Sequence, residues 1–141
     1  MINAEELKKF KEKSDKALNH QGLVGHFDHY GIKVPGGLAY EKAREGYGEL
    51  YNEVVLSNRR IATLVGHEVI ELIEQKPEEE ITQMFIEHTA YRVDNFEKEK
   101  AKFEDFVAEF KFGKTEGFKV MLDNLIIEIR NNNLKDSKGD I

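Results

Sequence analysis

The sequence predicts an all-α protein built around a long antiparallel helical hairpin, with two shorter helices packed on it in a four-helix bundle-like arrangement. Apolar residues recur at three- and four-residue steps over residues 38–75 and again over residues 78–111. This is the period of an amphipathic helix. Between the two stretches, Pro77 is followed by three glutamates. Proline and carboxylates both suit the first turn of a helix.

Helices are accordingly expected at about residues 4–19, 38–75, 78–111 and 115–130, within a single helical domain of residues 1–130. Asn3 and Glu6 form a candidate cap pair for the first helix. Glycines, a proline and histidines concentrate in residues 21–37, which predicts one irregular Gly/His-rich loop. Residues 131–141 are polar with little to bury, so we expect a disordered tail. No internal repeat is visible.

The composition limits the functional classes. The chain of 141 residues has no cysteine, which excludes disulfide scaffolds, thiolate metal sites and cysteine nucleophiles and fits a cytoplasmic protein. No apolar run approaches the roughly 20 residues that a membrane-spanning helix needs. A formal net charge of −6 disfavours nucleic acid as a partner, because phosphates repel an acidic surface. We therefore expect no membrane association, no nucleic-acid partner and no cofactor.

Polar residues within the apolar stripe of the second long helix form the first candidate site. Such groups are costly to bury unless they satisfy one another. We therefore expect a buried polar network that sets the pairing of the two long helices. Its expected members are Asn58, Glu68, His88, Arg92, Asn95 and Glu99.

The histidines of the irregular loop form a second candidate. His26, Asp28 and His29 bring two imidazoles and a carboxylate close together, a donor set that binds zinc or another divalent ion. The spacing does not match the His-Glu-x-x-His or clustered-cysteine motifs. We expect no metal, and keep a site at these three residues as an alternative.

Arg60 and His67 form a third candidate, because a spacing of seven places them on one face of the first long helix. An arginine, six residues and a histidine resembles the short motif of HEPN-type ribonucleases. The resemblance implies a helical domain that cuts RNA without metal, with the histidine as acid or base and the arginine holding phosphate. Ile61 departs from the polar residue usual after that arginine. No catalytic residue is favoured.

The last predicted helix is apolar on two sides. Val120, Ile126 and Ile127 lie outside the face that the other apolar residues commit to the core. This arrangement indicates contact with another chain, with coverage by the first helix or the loop as the alternative.

These observations favour a non-enzymatic interaction protein: a small regulator, an inhibitor- or immunity-type protein, or an assembly subunit. Its expected partner is another protein of unknown identity, and it is expected to form a homo-oligomer. The alternatives are a HEPN-like metal-independent ribonuclease and a histidine-dependent metal-binding protein.

Overall fold

The chain is built mainly of β-strands, so the prediction of an all-α four-helix bundle is wrong. The computed structural model describes residues 1–58 and 60–133. The helices are α1 (Ala4–Gln21), α2 (Leu38–Gly48) and α3 (Phe96–Lys100). The strands are β1 (His26–Val34), β2 (Asn52–Asn58), β3 (Ile61–Val65), β4 (Val69–Glu74), β5 (Phe85–Val93), β6 (Ala108–Phe112), β7 (Thr115–Leu122) and β8 (Leu125–Asn131).

The strands form one sheet in the order β2-β3-β4-β1-β5-β8-β7-β6. β1 and β5 pair antiparallel at its centre, β1 pairs in parallel with β4, and β5 pairs in parallel with β8. Each half therefore has the same connectivity, a strand and a helix followed by three strands, and the same strand order outward from the centre. The fold contains a structural repeat that the sequence analysis missed.

In the second half of the first predicted long helix, the helix-like spacing of apolar residues comes from two short strands. Ile61, Val65 and Val69 follow one another at four-residue steps, which predicts a helix. In the structure, a turn at residues 66–68 separates β3 from β4, and these two strands pair antiparallel. Their fully buried apolar side chains alternate along each strand, as one face of a sheet requires: Ala62, Leu64, Ile70 and Leu72.

The helix predicted for residues 115–130 is a hairpin of β7 and β8. The two residues between these strands, Asp123 and Asn124, both have positive φ, 52° and 66°. Two-residue hairpin loops of this type need left-handed residues, and Asp and Asn accept that conformation better than most. The apolar residues on two sides of the supposed helix are therefore the two faces of a strand pair.

Three of the stretches predicted to be helical contain helices. α1 covers residues 4–19, and the Asn3 side chain accepts from the Glu6 backbone while the Glu6 side chain accepts from the Asn3 backbone. α2 begins at Leu38 but ends at Gly48, and the remainder of the predicted hairpin is strand, short helix and turn. No helix in the described residues is long and apolar enough to cross a membrane.

The segments predicted to be irregular are partly ordered. Residues 21–37 contain β1, the central strand of the sheet. Asn131 ends β8, and the side chains of Asn132 and Asn133 both donate hydrogen bonds to Asp94. Residues 134–141 lie outside the described part of the chain, so disorder there stays a prediction.

The helices pack on one face of the sheet in two apolar clusters. In the first cluster, Tyr40 and Tyr47 of α2 pack with β1, β3 and β4. In the second, Ala17 and Leu18 of α1 pack with β5, β7 and β8. Within residues 1–58 and 60–133, no helix packs on the opposite face of the sheet.

A buried hydroxyl chain joins α1 to β5. Thr89 donates to Ser14 at 3.0 Å, and Ser14 donates to the Phe10 carbonyl at 3.1 Å; both hydroxyl residues are fully buried. Ser14→Ala should cost about 1–3 kcal/mol because it leaves the Thr89 donor unpaired, whereas Thr89→Val should cost about 1 kcal/mol. Urea unfolding of both variants and of the double variant measures this. Additive effects would show that the two hydroxyls act independently.

Candidate metal centre

Strand alternation brings two histidines together on the face of the sheet opposite the helices. In β1, Tyr30 and Ile32 lie in the first apolar cluster, on the helix side of the sheet. Because successive side chains of a strand alternate between its faces, His29, which precedes Tyr30, points to the other side. In β5, Thr89 and Tyr91 contact α1, so His88 also points away from the helices. The His29 and His88 ring centroids lie 5.7 Å apart.

Two glutamates reach the same place from the strands that flank the central pair. Glu71 lies on β4, between Ile70 and Leu72 of the first cluster. Glu128 lies on β8, between Ile127 and Ile129 of the second cluster. Each half of the fold thus contributes one histidine from its first strand and one glutamate from its last.

Three of these side chains are close enough to share one cation, and Glu71 lies beside one of them. His29, His88 and Glu128 are buried, and each offers a ligand atom within 4.8 Å of those of the other two. Glu71 Oε1 lies 2.6 Å from His29 Nε2, and Glu128 Oε2 lies 3.7 Å from His88 Nε2. Two buried imidazole nitrogens and the Glu128 carboxylate therefore converge, with the Glu71 carboxylate next to His29.

The outer nitrogen of each imidazole is held by the residue before it. Asp28 Oδ2 lies 2.6 Å from His29 Nδ1, and Glu87 Oε1 lies 3.0 Å from His88 Nδ1. A carboxylate in this position favours the proton on Nδ1 of a neutral imidazole and leaves the Nε2 lone pair for a metal. The repeated arrangement orients both Nε2 atoms toward the cluster.

The Nε2 atoms supply the test of whether a metal fits. Within residues 1–58 and 60–133, neither Nε2 atom has a hydrogen-bond partner, although both are buried. Glu71 Oε1 lies 2.6 Å from His29 Nε2 as an ion pair, which is the contact that a metal at this nitrogen would replace. Buried polar atoms rarely lack a partner, and an imidazole nitrogen facing carboxylates is a normal metal ligand. The residues present therefore fit a divalent cation.

The electrostatics of the cluster are strongly coupled. Burial lowers the pKa of His29, but the Glu71 charge and the Asp28 hydrogen bond outweigh burial and raise this pKa to about 9. Burial raises the pKa values of Glu71 and Glu128, but neighbouring His29 and Arg130 cations hold both below the usual range. In the absence of metal, a proton on His29 therefore balances Glu71, and a metal at Nε2 must displace that proton.

Two arginines border the cluster. Arg92 Nε donates to Asp28 at 2.9 Å, so it supports the carboxylate that orients His29. Arg130 Nε donates to Glu128, and its Nη2 lies 3.9 Å from Glu71. Burial lowers the pKa of Arg130, but the two carboxylates outweigh it and raise this pKa further above its usual value.

The residues of the predicted buried polar network lie in different parts of the structure. His88 and Arg92 lie at the cluster, whereas Glu99 accepts from Val24 N and Lys102 Nζ near the start of β1. Glu68 accepts from Tyr51, and Asn95 is exposed. The side chain of Asn58 lies outside the described part of the chain. Arg92 donates to Asp28, and Glu99 has its own partners elsewhere.

The other predicted sites fare differently. Of the histidine-loop residues, His29 points into the cluster, Asp28 supports it, and His26 is exposed at the start of β1. Arg60 and His67 lie beyond opposite ends of β3, and His67 is exposed. They do not share a helix face, because the helix that was to present them is absent.

The predicted interface residues do not form an exposed stripe. Val120 and Ile127 are 1% and 0% exposed and belong to the second apolar cluster. Ile126 points to the opposite face and pairs with His88 in the β5–β8 ladder. Alternation along a hairpin, which places successive residues on opposite faces, explains this division.

Glu71 and Glu128 were missed by the sequence analysis. Two signals mark the repeat. His29 and His88 are each the fourth residue of their strand, and each directly follows an acidic residue. Each missed glutamate stands between apolar residues in a similar short run, Ile-Glu-Leu-Ile and Ile-Glu-Ile-Arg.

Comparison with solved structures identifies the fold. Structural-genomics protein EC4020 matches with a TM-score of 0.66 and 15% identity over 91% of this chain and 85% of its own. Methylmalonyl-CoA epimerase from Mycobacterium tuberculosis matches with a TM-score of 0.54 and 14% identity, over 79% and 94% of the two chains. The Mn(II)-bound glyoxalase from Novosphingobium aromaticivorans matches with a TM-score of 0.53 and 16% identity, over 84% of this chain and 43% of its own.

The chain therefore resembles the glyoxalase/VOC fold. No protein-family profile and no curated protein sequence matches it. The non-enzymatic helical interaction protein is wrong, because its amphipathic helices are strands and its structural neighbours include an epimerase and a glyoxalase. The HEPN-like ribonuclease was inferred from one face of the same predicted helices, so that alternative is no longer supported.

Gly31 makes room for the His88 ring. A Cβ at Gly31 would lie 2.1 Å from His88 Cε1 and 2.5 Å from Nδ1. Gly31→Ala should therefore displace the ring or the strand, at a cost of about 1–3 kcal/mol in urea unfolding. Gly48→Ala is the matched control, because a Cβ there meets nothing within 4 Å and should leave stability unchanged or slightly raised. Equal stability of the two variants would contradict this packing.

Proposed function

We propose that this protein is a metal-dependent enzyme whose divalent cation is held by His29, Glu71, His88 and Glu128. The observation that carries the proposal is the pair of buried Nε2 atoms without hydrogen-bond partners, facing two carboxylates. Two imidazoles and two carboxylates suit Mn²⁺, Fe²⁺, Co²⁺, Ni²⁺ or Zn²⁺ better than a hard ion that prefers oxygen alone. The Mn(II)-bound glyoxalase of the same fold supports it by analogy.

The proposed reaction is removal of a proton from the carbon next to a carbonyl, as in an isomerase or a lyase. A cation bound here supplies a Lewis acid for the carbonyl oxygen. The protein contributes a carboxylate, Glu71 or Glu128, to take the proton, since both are held in the ionised form. The epimerase among the structural neighbours favours this class of reaction.

The surrounding residues support that chemistry. Asp28 and Glu87 fix the orientation of the two imidazoles through their Nδ1 atoms. His29, His88 and Glu128 are each less than 5% exposed, so little water reaches them. Charges act more strongly in such an environment than they do in bulk water.

Metal binding is the first test. The protein should bind one Mn²⁺ or Zn²⁺ per chain in isothermal titration calorimetry, and His29→Ala and His88→Ala should each abolish it. His26→Ala is the control, because His26 is exposed at the start of the same strand. A metal at 100 times its dissociation constant should stabilise the fold by about 2.7 kcal/mol.

The comparison of variants decides the proposal. Binding that survives both histidine replacements would place the metal elsewhere. Binding lost in His26→Ala and in His29→Ala but kept in His88→Ala would indicate the loop site formed by His26, Asp28 and His29 instead.

Proton abstraction is the second test. Metal-loaded protein should speed the exchange of the proton next to a carbonyl into deuterated water, followed by NMR, for methylmalonyl-CoA or a panel of smaller 2-oxo and 2-methyl acids. At saturating metal, Glu71→Gln or Glu128→Gln, whichever removes the base, should reduce the rate at least about 100-fold, because general-base catalysis contributes about 10²–10⁴-fold. Exchange equal to that with free metal ion throughout the panel would contradict the reaction class.

Self-association and a cytoplasmic location stay predictions. Among the described strands, the sheet ends in β2 on one side and β6 on the other, and an edge strand offers backbone groups to which a second copy can add. Light scattering of the purified protein tests the homo-oligomer.

A further inference from the structure

Arg130 lies where it balances the two glutamates of the proposed metal site. Its Nε donates to Glu128, and its Nη2 lies 3.9 Å from Glu71. Its side chain is 16% exposed, more than the histidines beside it. The guanidinium therefore spans from the buried carboxylates to the surface, and it supplies positive charge to the same two groups that a cation would use.

A second arginine stands directly beside it. Arg92 and Arg130 are register partners in the parallel β5–β8 pair and point to the same face of the sheet. Like charges in neighbouring positions repel unless anions separate them. Asp28 balances Arg92, while Glu128 and Glu71 balance Arg130.

A divalent cation changes this balance. A divalent ion held here would take carboxylate oxygens of Glu71 and Glu128, the same groups that Arg130 contacts, so the ion and the guanidinium would compete for them.

We propose that Arg130 exchanges partners when the metal binds, from Glu71 and Glu128 to an anionic oxygen of the substrate. The inference rests on the proposed metal site and names its substrate class, a small carboxylate or similar oxyanion. The planar guanidinium matches two oxygens of such an anion, and its partial exposure lets it turn outward. Arg130 thus weakens metal binding in the empty site and provides the anion contact in the loaded one.

The test measures two affinities in opposite directions. In isothermal titration calorimetry, Arg130→Met should bind Mn²⁺ at least about fivefold more tightly than the parent, because a competing cation is gone. With Mn²⁺ loaded, the same variant should bind oxalate at least about tenfold more weakly, because it lacks the charge-assisted hydrogen bonds. Binding of oxamide, the uncharged analogue, should not change.

Two further variants serve as controls. Lys111→Met removes a surface cation that is 69% exposed, and should alter neither affinity. Arg130→Lys keeps the charge without the planar fork, so it should retain part of the oxalate affinity; it also replaces Arg130→Met if that variant does not fold. Circular dichroism checks folding.

The outcomes separate the two proposals. Equal Mn²⁺ and oxalate affinities in the parent and in the Arg130 variants overturn the role of Arg130 and leave the metal site intact. Tighter Mn²⁺ binding with unchanged oxalate binding overturns the substrate class. A lack of Mn²⁺ binding in every variant overturns the proposed function and this inference with it.

Discussion

The antiparallel pairing of β1 with β5 is the contact on which the site depends. It joins the two halves of the sheet and places His88 opposite Gly31, one residue from the Tyr30 that anchors β1 in the core. A slip of one residue would turn every side chain of a strand to the other face. The apolar cluster behind β1 therefore fixes where His29 points, and the cluster behind β5 does the same for His88.

The chemistry of the site is a compromise between burial and charge. Placing ionised carboxylates in an enclosed space is costly unless cations compensate them. The protein distributes that compensation over Arg92, Arg130 and a proton on His29. The proposed metal site is thus already neutralised in part before any ion enters.

The sequence predicted α1 well and most of the remaining fold badly, for identifiable reasons. The first helix has a cap pair at Asn3 and Glu6 and an uninterrupted pattern, so local signals sufficed. In residues 61–74, four-residue spacing across a tight turn imitated a helix, although the β-branched content favoured strands. His29 was named only as an alternative metal ligand, because histidines are conspicuous. Glu71 and Glu128 come together only through the parallel pairs of β1 with β4 and β5 with β8, which no local pattern reveals.

The position of α1 affects the order in which the chain can fold during synthesis. Leu7 packs in the first apolar cluster, while Ala17 and Leu18 pack in the second, against strands as late as β8. α3 has only five residues, so α1 supplies most of the helical cover for the second half. Because a ribosome adds about 5–20 residues per second, the earliest segment waits several seconds for its last partners. The hairpin of β7 with β8 completes the second apolar cluster.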